Sequence, residues 1–213
     1  MILVTGGCCS GKSEFAEKLV TSKGTQEKEH QYLYIATAKI TDPQMGERVL
    51  KHRMRRDSRW DNYEAADGTS LQRLISFLKA HKEDNHYEGV LVDSVTTLAT
   101  NLLLETVEEP EGEDASYENV DYEMASDYIL GELQLFCGIA KEYPMVFVTD
   151  EIGLGVVPES TLGRNFRDIL GKANQYLASL CSEVYFVVSG IPVRIKDEQN
   201  TKDKSAKIHR NEK

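Results

Sequence analysis

The chain has 213 residues, 40% hydrophobic and 28% charged, with a mean hydropathy of -0.42, enough for one large domain with a substantial core. No apolar stretch approaches the roughly 18 residues that a bilayer crossing needs, and collagen, coiled-coil and disordered compositions are excluded. The net charge of -10, from 25 Lys+Arg against 35 Asp+Glu, argues against general affinity for nucleic acid or an anionic membrane.

The N-terminus runs Met1-Ile2-Leu3-Val4-Thr5-Gly6. No basic segment precedes these apolar residues, so neither a secretory nor a transit signal is expected and the address is cytoplasmic by default. Residues 2–5 read as a short buried strand ending at glycines, and 14–22 have helical spacing. Between them, Gly6-Gly7-Cys8-Cys9-Ser10-Gly11-Lys12-Ser13 matches G-x-x-x-x-G-K-[ST], a pattern expected by chance in a chain of this length on the order of once in a hundred. Glycines let backbone N–H groups curl around a phosphate, and the following helix N-terminus adds partial positive charge. In that role Lys12 bridges β- and γ-phosphate oxygens and Ser13 places its hydroxyl on Mg²⁺.

Tyr32-Leu33-Tyr34-Ile35-Ala36 reads as a second buried strand. Asp42-Pro43 is a plausible helix start, with proline at the first helical position, for a helix from about 43 into the fifties. On it Arg48, His52 and Arg56 recur every four residues and share a face. Six basic residues lie between Arg48 and Arg59, whereas none occurs between Lys82 and Lys141. A histidine among cations has its pKa depressed, leaving a neutral, nucleophilic imidazole near neutral pH. Beside arginines it can attack phosphorus and form a phosphoramidate. His30, His81, His86 and His209 lie in polar stretches and are read as bystanders.

Further along come a helix over Leu71–Lys79 and a strand Gly89-Val90-Leu91-Val92-Asp93. From Glu105 to Glu123 nine acidic residues, with Pro110 and Gly112 among them, read as a solvated loop or insertion. Then follow a helix over 125–141, a strand Met145-Val146-Phe147-Val148, a helix over 160–181 and a strand Val184–Val188. Five apolar strands without polar alternation, interleaved with helices, imply a mostly parallel sheet covered on both faces with right-handed crossovers. Residues 197–213 are polar and read as a mobile tail, and there is no internal repeat. A strand-end acid should serve the metal; Asp93 and Asp150-Glu151 both qualify, and the residues do not choose between them. Cysteines 8, 9, 137 and 181 lack metal-type spacing and are expected as thiols, with neither disulfide nor zinc.

These blocks together resemble the bifunctional adenosylcobinamide kinase / adenosylcobinamide-phosphate guanylyltransferase family of cobalamin biosynthesis, over residues 1–196. The resemblance rests on the glycine loop, Tyr34-Ile35-Ala36-Thr37, Arg48 and His52, Trp60 with Glu64, Asp93 before Thr96-Thr97, and Thr100-Asn101-Leu102-Leu103. It continues through Glu151–Pro158, Arg164-Asn165-Phe166-Arg167-Asp168, Gly171, Asn174-Gln175 and Val187-Val188-Ser189-Gly190.

The resemblance implies a RecA-like P-loop fold, a homotrimer, ATP and GTP as substrates with Mg²⁺, and two reactions. A nucleoside triphosphate phosphorylates adenosylcobinamide; GTP then gives GMP to His52 with loss of pyrophosphate, and adenosylcobinamide phosphate takes the GMP. It further implies that Ala36, Thr37, Ala38, the run Arg53-Met54-Arg55-Arg56, Glu64 and Asp93 line the guanine nucleotide site. Glu64 and Asp93 are open to reading the guanine edge or holding Mg²⁺, and Ser13 and Asp93 are the candidate metal ligands. Alternatives of a kinase without guanylyl transfer, and of a non-catalytic GTP-binding module, stand beside this reading.

The chain departs from the family pattern at Cys8-Cys9, where the family has Ala-Arg, at Asp150, where it has Asn, and in the tail beyond 196. Paired thiols at a helix N-terminus are expected either to have lowered pKa values and be prone to oxidation, or to be inert small residues.

Overall fold

The computed structural model describes residues 1–22, 31–39, 43–83, 87–107, 117 and 120–197, with backbone alone at 43–45, 48, 51 and 52. The strands are β1 Ile2–Gly6, β2 Tyr32–Ala36, β3 Trp60–Glu64, β4 Gly89–Asp93, β5 Met145–Asp150, β6 Glu183–Val188 and β7 Ile191–Asp197. The helices are α1 Lys12–Thr21, α2 Pro43–Met54, α3 Gly68–Ala80, α4 Val95–Thr106, α5 Tyr122–Ala140 and α6 Thr161–Leu180. All strands join one sheet of order β3-β2-β4-β5-β1-β6-β7, parallel except for β7, which runs antiparallel to β6.

Each central strand is apolar along its length because both faces are covered, and alternate residues feed two cores. Leu3, Leu33, Ile35, Val90, Val92 and Phe147 point into the larger core with residues of α3 to α6. Val4, Tyr32, Tyr34, Leu91, Val146 and Val148 point to the opposite face, against Ala16 and Val20 of α1. The helices begin at side-chain caps: Asp67 accepts from Ser70 N in a reciprocal capping box, and Ser94, Asp121 and Ser160 cap α4, α5 and α6.

Seven strands replace the expected five. β3 is a polar edge strand, whose Asp61, Asn62 and Glu64 interrupt any apolar run. β7 follows a two-residue hairpin turn at Ser189-Gly190, both with positive φ (51° and 81°), as a type I′ turn requires. The helix α4 departs from the sequence expectation: four threonines and β-branched Val95 lower its intrinsic propensity. Its apolar residues, Leu98, Ala99, Leu102 and Leu103, are buried in the larger core. The acidic segment is helical at its ends, since Glu105 closes α4 and Glu123 opens α5; 108–116, 118 and 119 lie outside the described residues, as do Asp42 and the tail beyond Asp197.

Candidate active site

The C-terminal ends of the parallel strands lie in one row. Glu64, Ala36 and Asp93 are register partners across β3, β2 and β4, and Gly6 pairs with Asp150 across β1 and β5. Ligands of open α/β sheets bind at this edge, and here it opens into a cavity of about 320 Å³.

Of the glycine loop only Lys12 and Ser13 line this cavity; Gly6, Gly7, Cys8, Cys9, Ser10 and Gly11, also expected at the nucleotide site, are not among its lining residues. Gly6 abuts the Val187 carbonyl oxygen so closely that a Cβ there would collide with it, and Gly11, at φ 94°, is the left-handed residue from which α1 starts. The turn between β6 and β7 braces the loop, with Gly190 N donating to Ser10 O at 2.9 Å. Lys12 is 8% exposed; its Nζ donates to Gly7 O at 2.7 Å and pairs with Asp150 Oδ1 at 2.6 Å. Asp150 is itself held in place: its N–H donates to Thr96 Oγ1 at 2.6 Å, and its carbonyl accepts from Asn174 Nδ2 at 3.0 Å. The two strand-end acids therefore divide their tasks, with Asp150 the partner of the loop lysine and Asp93 standing one strand further along the row.

Asp93 Oδ2 accepts from Tyr34 Oη at 3.1 Å. Burial, reinforced by the Asp93 carboxylate, pushes the Tyr34 phenol well above its ordinary range, so it stays a donor. The Arg56 guanidinium lies over the Tyr34 ring, 3.5 Å from its centroid. Arg56 is 5% exposed; its Nη2 donates to Asn62 Oδ1 at 3.1 Å and its Nη1 stands 3.6 Å from Glu17 Oε1, with Arg55 Nη2 also 3.6 Å away. Burial raises the Glu17 pKa despite both arginines. A cation–π and ion-pair chain thus ties α1, the end of α2 and β2 together beneath Asp93.

Of the residues expected at the site, Lys12, Ser13, Ala36, Ala38, Arg53, Arg56, Glu64 and Asp93 line this cavity. Thr37 is fully buried instead: its hydroxyl donates to Ser94 O and accepts from Ser94 N, both at 2.8 Å, so it shapes the wall from behind. Met54 is 77% exposed and Arg55 turns to Glu17; neither lines the cavity. His52 occupies the helix position just before Arg53 and three residues after Val49, and both of these line the cavity. The side chains of His52 and Arg48 lie outside those the structure describes. Cys8 and Cys9 are exposed, with Sγ atoms 3.7 Å apart. The expectation of a lowered pKa fails for Cys8, whose thiol is raised by its contact with Cys9.

Tyr34, Asn62 and Glu17 were not anticipated. Tyr34 carries the pattern of a buried-strand residue, since its strand is apolar throughout, and Glu17 is an acid on a helix whose partners come from another element; neither leaves a local signal.

A model of the family described as "Cobinamide kinase / cobinamide phosphate guanyltransferase" matches residues 2–195. The chain belongs to this family. It is 42% identical to the bifunctional adenosylcobalamin biosynthesis protein CobU of Escherichia coli and 38% identical to that of Salmonella typhimurium, each over 92% of this chain and 99% of the relative. It is 35% identical to CobP of Pseudomonas aeruginosa over 92% of this chain and 97% of that one. Among solved structures, an ATPase of a bacterial type III secretion system superposes with a TM-score of 0.53 at 10% identity, covering 87% of this chain and 50% of that one. Together with the glycine loop between β1 and α1, this is the RecA-like P-loop fold. No helix among the described residues is long and apolar enough to cross a membrane.

Proposed function

We propose that this chain is a bifunctional enzyme that phosphorylates adenosylcobinamide and then transfers GMP from GTP to adenosylcobinamide phosphate through a covalent link to His52. Kinase and guanylyltransferase chemistry is what its family carries. The observation that supports the residue assignment is that Lys12 and Ser13 line one cavity together with Arg53 and Arg56.

In the kinase reaction the loop amides and Lys12 hold the triphosphate, and the substrate hydroxyl oxygen attacks the γ-phosphorus: the new O–P bond forms as the bond to the nucleoside diphosphate breaks, and the hydroxyl proton passes to solvent. In the transferase reaction the neutral imidazole of His52 attacks the α-phosphorus of GTP; an N–P bond forms as the bond to pyrophosphate breaks. A phosphate oxygen of adenosylcobinamide phosphate then attacks that phosphorus, breaking the N–P bond and freeing the histidine. Arg53 and Arg56 stabilise charge on the transferred group.

Ser13 and Asp93 offer hard oxygen donors at the cavity wall, the donor type that suits Mg²⁺. When bound, the ion neutralises triphosphate charge; Asp93, oriented by Tyr34, and Ser13 are the residues that would hold it. Glu64, which also lines the cavity at the outer end of the row, is in this reading the residue that recognises the guanine edge. Self-association as a trimer in the cytoplasm completes the reading. The apolar side chains exposed on the outer hairpin, with Ile191 66%, Val193 49% and Ile195 62% accessible, offer a surface for self-association.

The test is intact mass after incubation with GTP and Mg²⁺. The expected result is an acid-labile GMP adduct in the native protein and none in His52→Ala. An adduct that persists in His52→Ala rejects His52 as nucleophile, and phosphorylated cobinamide without any adduct reduces the assignment to a kinase.

A further inference from the structure

The phosphate loop carries two adjacent thiols where its chemistry needs only backbone. Cys8 and Cys9 are both exposed, their sulfurs stand 3.7 Å apart, and Cys9 takes a left-handed conformation at φ 54°. The other two cysteines are of a different kind. Cys137 and Cys181 are fully buried, so a thiol reagent in solution meets the loop pair and not these; the Cys8 thiol is raised by its contact with Cys9, and access is what sets the loop pair apart.

We propose that Cys8 and Cys9 are a modification site: they form a reversible disulfide by exchange with a low-molecular-weight disulfide such as oxidised glutathione, and that bond closes the phosphate loop to nucleotide. The thiolate of one cysteine attacks the small disulfide, giving a mixed disulfide and one small thiol. The thiolate of its neighbour then attacks the protein-side sulfur, forming the Cys8–Cys9 bond and releasing the second small thiol. The protein loses two protons and two electrons, and the small disulfide gains both.

Two geometric facts carry the consequence. Forming the bond brings the sulfurs from 3.7 Å to about 2.05 Å, and the ring that closes contains the peptide joining the two residues. That peptide lies between Gly7, whose carbonyl accepts from both Lys12 Nζ and Ser10 N, and Ser10, whose carbonyl holds the β6–β7 turn. Reshaping it displaces loop amides that must converge on a phosphate. Adjacent Cα atoms across a trans peptide are also only about 3.8 Å apart, below the usual disulfide span of about 4.4–6.8 Å. The bond is therefore strained and readily reduced, which suits a switch rather than a brace. An enzyme that consumes nucleoside triphosphate would by this route lose its substrate under oxidising conditions and recover it when thiols return.

The proposal rests on reading residues 6–13 as the triphosphate site. The experiment titrates GTP into the reduced full-length protein, into the same protein after oxidised glutathione, and again after dithiothreitol, with peptide masses for residues 1–12. The expected result is an internal disulfide in that peptide, a loss of GTP affinity of about tenfold or more, and full recovery on reduction. GTP added before the oxidant should slow the reaction, and Cys8→Ser/Cys9→Ser, compared with its own reduced state, should show no change on oxidation. A peptide that stays a dithiol or stops at the mixed disulfide overturns the proposal. So does an internal disulfide with affinity unchanged, or an equal loss in the doubly substituted protein. Reduced protein that binds no GTP would instead overturn the triphosphate-site reading, and with it the nucleotide half of the proposal, while the peptide mass still judges the disulfide.

Discussion

Replacing Arg56 by methionine tests the chain of contacts beneath Asp93. The substitution removes the cation stacked 3.5 Å from the Tyr34 centroid, the donor to Asn62 and one of the two guanidinium groups facing Glu17. Loss of a desolvated cation–π contact is worth up to about 2 kcal/mol and loss of a charged hydrogen bond about 1.5 kcal/mol or more. Removing one partner of a buried ion pair costs about 3–5 kcal/mol, but Arg55 stays beside Glu17, so most of this last cost is not incurred. A destabilisation of about 2–4 kcal/mol follows, and at about 2–4 °C per kcal/mol for a chain of this size the melting temperature falls by about 4–16 °C.

The pH dependence adds a signature. Burial already lifts Glu17 above its ordinary 4.5 while Arg55 and Arg56 oppose it, so removing Arg56 lifts it further. A carboxyl with a raised folded pKa favours the native state when protonated, and that stability is lost as pH rises from the unfolded value through the folded one. The gap between Arg56→Met and the native protein should therefore sit at the pH-independent floor set by the lost cation–π contact and hydrogen bond below the ordinary carboxylate range, and widen above it. In the background of Glu17→Gln the gap should be smaller and flat with pH. Chemical denaturation of the four proteins at several pH values measures this. Equal stability at neutral pH, or a gap that does not vary with pH, would refute the account of Glu17 and Arg56 as a buried, linked pair.

Other expectations concern the site itself. Tyr34→Phe keeps the ring under Arg56 but removes the hydroxyl that donates to Asp93; folding should be retained while kcat falls about tenfold with KM for GTP little changed, and an unaltered kcat would show that Asp93 needs no such orientation. Gly6→Ala drives a Cβ against the Val187 carbonyl oxygen; the loop must shift, so GTP affinity should fall at least about tenfold, and calorimetric titration showing native affinity would contradict the packing described at the base of the loop.

The sheet's centre and its phosphate loop were readable from the residues because each has a local cause. Strands β1, β2, β4 and β5 are apolar runs buried on both faces, β6 is an apolar run of which Val184 and Val187 are buried, and the loop has its glycines and lysine at fixed spacing between a strand and a helix. The sheet's edges were not. In β3 only Trp60 is buried, and Asp61, Asn62 and Glu64 break up any apolar run on a strand of only five residues; β7 has five exposed residues in succession, so it is held by backbone pairing to β6 and not by a hydrophobic pattern. The same distinction governs the site. Lys12, Ser13 and Asp93 stand at recognisable positions. The roles of Tyr34, Asn62 and Glu17 arise only when β2, β3 and α1 converge on Arg56, and Asp150 could be told from Asp93 only once its carboxylate was seen against Lys12.

The hydrogen bond from Gly190 to Ser10 joins segments far apart in the chain. It stitches the rim of the phosphate cradle to the tip of the outermost hairpin, so strands that never approach the reacting atoms share their mechanical fate: a load that bends the hairpin is transmitted to the cradle, and tension in the cradle is felt along the sheet's outer margin.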